Sequence, residues 1–122
     1  MSRILLVDDD VVQLDLYAHL LEIAGYRVDI ALSASQAERR LENVDLTIMD
    51  LRFPNALGES DPQEGIALIR RIRHLGCRTP VIVLSGWPND LYGQPEEQLV
   101  SRILVKPVAI RELLQAVRDL LS

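Results

Sequence analysis

Four short apolar runs in this 122-residue sequence end abruptly in residues able to do chemistry. ILLV (4–7) runs into Asp8, Asp9 and Asp10; LTIM (46–49) into Asp50; VIVL (81–84) into Ser85; RILV (102–105) into Lys106. Three adjacent like charges repel one another, and aspartate is a poor interior residue for helix or strand. Clustered carboxylates become favourable when a divalent cation neutralises them, and hard oxygen donors suit Mg2+. Beside such an ion a carboxylate can act as a nucleophile towards phosphorus and form an acyl phosphate. The metal and an ammonium group would stabilise charge on the transferring phosphoryl oxygens. A hydroxyl would donate to the phosphoryl group afterwards.

Each of these residues also has a plain reading. The aspartates could form a solvated loop with a helix cap. Asp50 could belong to a turn before Pro54, Ser85 could start a turn at Gly86, and Lys106 could be a surface lysine. What favours chemistry is the company they keep, provided the fold brings the four run ends together.

The spacing of the rest of the chain predicts that it does. A fifth run, RVDIA (27–31), joins the four above, and longer amphipathic stretches separate them. VVQLDLYAHLLEIAG has Leu14, Tyr17, Leu20, Leu21 and Ala24 at helical spacing, with Gly25 where a C-terminal cap belongs. SASQAERRLEN opens with cap-type serines. QEGIALIRRIRHLG places Ile66, Leu68, Ile69, Ile72 and Leu75 mostly on one face and ends at Gly76, and AIRELLQAVRDLL closes the chain. Short strands alternating with helices imply a parallel sheet covered on both faces. The expectation is an α/β, flavodoxin-like, doubly wound five-stranded sheet, a (βα)5 three-layer sandwich occupying 1–122 as one domain. Ligands bind such sheets beyond the carboxyl ends of the strands, where Asp8–Asp10, Asp50, Ser85 and Lys106 fall.

Composition narrows the function. The chain is 48% hydrophobic and 25% charged, ordinary for a globular domain. A net charge of −5 argues against direct nucleic-acid binding but not against a metal cation. The densest basic group, Arg70, Arg71, Arg73, His74 and Arg78, reads as a solvated helix face and its exit. The single cysteine, Cys77, excludes an internal disulfide and a CxxC metal site, and reads as a structural or weakly exposed thiol. His19 and His74 have no metal-ligand partner at useful spacing and read as surface or boundary residues. With no signal peptide and no membrane-length apolar stretch, a cytoplasmic protein without a membrane partner is expected.

LLVDDD (5–10), MDLRFP (49–54), VIVLSG (81–86) and LVKP (104–107), in this order and each at a strand end, resemble the receiver domain of two-component response regulators across nearly the whole chain. The resemblance implies that Asp50 is the phosphoacceptor and that Asp8 and Asp9, the pair directly after the strand, hold Mg2+ directly or through water. Asp50 and the backbone carbonyl of Arg52 would complete the protein ligands. Ser85 would hydrogen-bond the phosphoryl group and Lys106 would pair with it. Pro107 would follow through a cis bond, and Asp10 would cap the first helix. The implied partners are a histidine kinase or phosphotransfer protein as donor and a separate output protein, or a missing output domain, as receiver of the signal. Such a chain is a signalling phosphoacceptor rather than an enzyme, and the family's pairing habits admit a homodimer. The sequence stops at Ser122, just after the last amphipathic stretch, so a stand-alone receiver is expected.

The sequence departs from the family pattern in four places. The loop PNALGESDPQEG (54–65) is longer than usual by about seven residues, so the 55–64 stretch is expected as either a tolerated surface insertion or a lid or partner-contact loop. Pro88, Gly93 and Pro95 should break the family's fourth helix, leaving a short helix near 95–100 or an irregular segment. Ile103 stands where the family commonly has an aromatic that moves inward on phosphorylation. Arg52 and Trp87, each two residues past a site residue, should lie near the path of the hydrolysing water, with Arg52 able to pair with the phosphoryl group and Trp87 to shield it. These departures sustain a second reading, a receiver-like interaction module not regulated by phosphorylation. A Mg2+ phosphohydrolase needs a second carboxylate where Arg52 stands. A flavin-binding protein needs a phosphate loop after the first strand, which is missing.

Overall fold

The apolar runs form the strands of one parallel sheet in a computed structural model that describes residues 2–121. The strands are β1 (Arg3–Val7), β2 (Arg27–Ala31), β3 (Leu46–Met49), the two-residue β4 (Phe53–Pro54) and β5 (Ser60–Asp61), β6 (Val81–Ser85) and β7 (Arg102–Val105). The helices are α1 (Val11–Ile23), α2 (Ala34–Glu38), α3 (Pro62–His74) and α4 (Ile110–Leu121). The main sheet has five strands in the order β2-β1-β3-β6-β7, all parallel, the doubly wound architecture expected from the alternation. Ser122, on which the stand-alone expectation turned, lies outside the described residues.

Strand alternation sorts the core into two layers. Leu5, Val7, Met49, Val81 and Val83 face α3 residues Ile66, Ile69 and Ile72. Their chain neighbours Ile4, Leu6, Ile48, Ile82 and Leu84 pack with Leu14 and Leu21 of α1 and Leu113 and Val117 of α4. Both faces of β1, β3 and β6 are buried, which is why those strands read as unbroken apolar runs rather than alternating ones.

The helix termini follow their caps. Asp10 Oδ1 accepts from the N–H groups of Val12 (3.1 Å) and Gln13 (3.2 Å), starting α1 as expected. Ser33 caps α2 by accepting from the Gln36 N–H at 3.2 Å. That helix lasts only five residues, however, well short of the SASQAERRLEN stretch. Ala37 is its single fully buried residue, and Ala34 and Leu41 pack only partly buried against the core, so few apolar contacts hold further turns. Arg40 instead donates to the Ile30 carbonyl at 2.8 Å, and Asn43 turns the chain at φ 64°.

The long loop after β3 is ordered. β4 and β5 pair as an antiparallel hairpin, Phe53 opposite Asp61. Asn55 Oδ1 accepts from the N–H groups of Leu57 (2.9 Å) and Glu59 (3.1 Å), closing its tip. Leu51 and Phe53 are buried and anchor it. Asp61 then caps α3 and Pro62 takes its first position. Gly65 donates to the Leu51 carbonyl at 2.9 Å, and a Cβ there would lie 2.3 Å from that oxygen, so only glycine lets α3 sit this close to the loop.

The segment between β6 and β7 has two 3-10 turns, Pro88–Asp90 and Pro95–Leu99, in place of a regular helix. The second matches the short helix expected near 95–100. It is tied to α3: Arg73 donates to the Leu99 carbonyl through Nε and Nη2 (3.2 and 2.8 Å), and through Nη1 to Cys77 (2.9 Å) and Thr79 (2.7 Å). Arg70 pairs with the buried Glu96 at 3.1 Å. Among the described residues, no helix is long and apolar enough to cross a membrane.

Candidate functional site

The sheet register explains why the site residues meet. The strand order reverses at β1 and β3, the switch point where ligands bind such sheets. Val7 lies opposite Met49, so Asp8 and Asp50 leave adjacent strands at the same level. Ser85 lies opposite Val105, and the Lys106 N–H donates to the Ser85 carbonyl at 2.9 Å, bringing Lys106 to the same edge. Lys106 Nζ then spans the two acids, 2.9 Å from Asp50 Oδ2 and 3.1 Å from Asp8 Oδ2. The Lys106–Pro107 bond is cis.

Backbone amides hold the other carboxylate oxygens. Leu51 N–H donates to Asp50 Oδ1 at 2.6 Å, with a longer approach from Arg52 N–H at 3.4 Å. Asp10 N–H donates to Asp8 Oδ1 at 3.0 Å. Each acid thus has one oxygen on the backbone and one turned to the ammonium. Ser85 is fully buried; its Oγ accepts from the Trp87 N–H at 2.9 Å, which leaves its own proton to donate.

The charges are coupled. Burial pushes the Asp8 carboxyl above its ordinary range and the Asp50 charge adds to this, against the Asp10 amide and Lys106, which favour the anion. Burial alone would lower Lys106, but the Asp50 hydrogen bond and the two carboxylate charges outweigh it and raise it.

A Mg2+ ion fits this donor set. Two carboxylates converge on one cation already, and the partly buried Asp8 anion gains from a stronger one. No group of three or more acidic, His or Cys side chains forms a cage among the described residues. Mg2+ keeps several waters and is commonly bound through one or two protein carboxylates. Asp9 is exposed at the rim. His19 and His74 are exposed, as read from the sequence, and Cys77 is half-buried, 3.1 Å from the Thr79 hydroxyl.

Arg52 and Trp87 do lie together beside the site, but the guanidinium is not turned to Asp50. It forks onto Asp90, Nε to Oδ2 at 2.9 Å and Nη2 to Oδ1 at 3.3 Å, and its carbon lies 3.9 Å from the centre of the Trp87 ring. Sequence reading missed Asp90. Its only signal was an acid in a proline-initiated turn, directly before a buried leucine, Leu91.

Comparison with known proteins agrees with the geometry. The family model described as response regulator receiver domain matches residues 4–118. The chain is 35% identical over 121 residues to the uncharacterized transcriptional regulatory protein YbdJ of Bacillus subtilis, covering 98% of this chain and 51% of that one. It is 32% identical over 123 residues to transcriptional regulatory protein CpxR of Escherichia coli K12, covering 99% and 50%. The chain thus spans about half the length of these curated relatives. Among solved structures, response regulator TrrA of Thermotoga maritima in complex with Mg(2+)-BeF superposes with a TM-score of 0.85 at 26% identity, covering 99% of this chain and 100% of that one. TrrA in complex with histidine kinase ThkA gives 0.84 at 27% identity and full coverage of both chains. With the motif order, the switch-point site and the family model in agreement, the chain belongs to the response regulator receiver domain family.

Proposed function

We propose that this receiver domain accepts a phosphoryl group on Asp50 in the presence of Mg2+, from a histidine kinase or phosphotransfer protein. The observation that carries the reading is the convergence of Asp50, Asp8 and Lys106 at the β1–β3 edge, with the buried Ser85 hydroxyl on the neighbouring strand. An Asp50 carboxylate oxygen attacks the donor phosphorus, the phosphorus–nitrogen bond breaks, and the donor imidazole leaves with the bonding pair. Lys106 pairs with the incoming phosphoryl oxygens, and Ser85 donates its hydroxyl proton to one of them. Asp8, Asp9 and Asp50, directly or through water, and the Arg52 carbonyl would hold Mg2+, which would supply charge neutralisation on the phosphoryl oxygens.

The modified chain would then change its affinity for an output partner, carried on a separate protein or on a domain beyond this chain. The TrrA complexes with Mg(2+)-BeF and with ThkA support a metal-dependent, kinase-facing role by analogy. Because Arg52 and the half-exposed Trp87 flank the site, self-dephosphorylation is expected to be slow.

Titration with Mg2+ and then beryllofluoride, followed by Trp87 fluorescence and amide NMR, tests the reading. Saturable, Mg2+-dependent binding that is lost in Asp50→Asn is expected. A folded protein that binds no beryllofluoride would instead be a phosphorylation-independent module, with the 55–64 hairpin as the next place to seek a partner.

A further inference from the structure

Arg52 sits beside the phosphoacceptor with its side chain committed elsewhere. Its backbone N–H is 3.4 Å from Asp50 Oδ1, yet its guanidinium forks onto Asp90 and lies over Trp87. Both partners of the fork are largely covered, with 28% and 18% of their side-chain surface exposed. Asp90 is placed by its own turn: its N–H donates to the Trp87 carbonyl at 3.0 Å. Trp87 is in turn bonded to Ser85, so the connection runs from the Ser85 hydroxyl through Trp87 and Asp90 to Arg52 and back to Asp50.

We propose that Asp90 is a positioning residue that withholds the Arg52 guanidinium from Asp50, and that the fork passes from Asp90 to the phosphoryl group when Asp50 is phosphorylated. The inference rests on Asp50 being the phosphoacceptor. A guanidinium pairs bidentately with carboxylate and phosphate alike, so the two acceptors compete for the same N–H pair. The phosphoryl group carries more charge than Asp90 and is covalently tethered two residues from Arg52. The indole face offers the guanidinium favourable contact while it is held off the site. Once the fork leaves, Asp90 faces a like charge without its counter-ion, and the Pro88–Asp90 turn is pushed outward. The Pro95–Leu99 turn cannot follow, because Arg73 and Arg70 tie it to α3. The structural response is thereby confined to residues 86–94, in a chain whose Ile103 carries no aromatic ring.

The test is beryllofluoride affinity with saturating Mg2+, measured by fluorine NMR and by Trp87 emission in wild type, Asp90→Asn, Arg52→Gln and the double variant. Asp90→Asn keeps the shape of the side chain but weakens its hold, so affinity should rise by roughly two- to fivefold. That gain should vanish in the Arg52→Gln background, and the wild-type emission change should be lost in Arg52→Gln. A merely structural Asp90 would give unchanged or weaker binding, or an effect that survives in Arg52→Gln, and either result overturns the proposal. So does a Trp87 response in Arg52→Gln equal to that of wild type. No binding in wild type and Asp90→Asn alike would remove the phosphoacceptor reading itself, and this inference with it.

Discussion

Lys106 Nζ lies 2.9 Å from Asp50 and 3.1 Å from Asp8, one ammonium serving two partly buried carboxylates. Its charge stands where a metal cation's would be needed, so the lysine and Mg2+ should be partly interchangeable in stability. Lys106→Met leaves both acids uncompensated and should cost the metal-free fold about 1–3 kcal/mol. Mg2+ should restore most of that loss. Thermal unfolding with and without Mg2+ checks this; an equal loss in both conditions would contradict it.

Asp8 makes the metal-free fold pH-dependent in an unusual direction. Burial raises its pKa above the ordinary 3.8, so between the unfolded and folded values the native state binds more protons than the unfolded chain. Stability then falls as pH rises from 3.8 through that window, and this contribution is flat once Asp8 is ionised in both states. Mg2+ requires the anion and should reverse the slope. Urea unfolding at about pH 4 to 6, wild type against Asp8→Asn, reads the difference, since the variant lacks the titration. A wild-type profile identical to that of the variant would rule it out.

Gly65 should tolerate no side chain. The added methyl of Gly65→Ala meets the Leu51 carbonyl oxygen at 2.3 Å and its Cα at 2.4 Å, both backbone atoms that cannot rotate away. A loss of about 2–3 kcal/mol is expected. Because Leu51 and Arg52 follow Asp50 directly, Mg2+ affinity should weaken too. Chemical denaturation and Mg2+ titration of the same variant test both parts. An alanine tolerated within error would mean that α3 can move away freely.

Arg73 should matter more than its position on the outer helix suggests. Its four hydrogen bonds go to three backbone carbonyls on two segments, Cys77–Thr79 and Leu99. Arg73→Lys cannot reproduce that fork and should cost about 1–3 kcal/mol. Amide exchange should accelerate at 95–101 more than in β1 or β3. Uniform acceleration over the whole sheet would instead indicate a purely global loss.

Much of this protein was legible in one dimension. β1, β3 and β6 stood out because burial on both faces demands continuous apolar residues. The acids, hydroxyl and lysine stood out because polar residues directly after such runs must lie at the sheet edge. Asp10 was readable as a cap because capping is local, spanning three residues. α2 was overestimated, since serine caps predict where a helix starts but not how deeply its later turns are buried; here only Ala37 is fully buried, while Leu41 is only partly covered.

Pairings across long stretches of chain were decided by the tertiary structure alone. Asp90 is 38 residues from Arg52, and Glu96 is 26 from Arg70. No local periodicity links such partners; they meet because β3 and β6 are neighbours and α3 packs beside them. Likewise, nothing local in PNALGESDPQEG distinguished a loose insertion from the hairpin it forms. The deciding contacts, Phe53 into the core and Gly65 against Leu51, exist only once α3 has docked. Strand and cap signals are written into neighbouring residues by steric and hydrogen-bonding rules, whereas the choice among competing charged partners depends on which surfaces the packed sheet brings within a few ångströms.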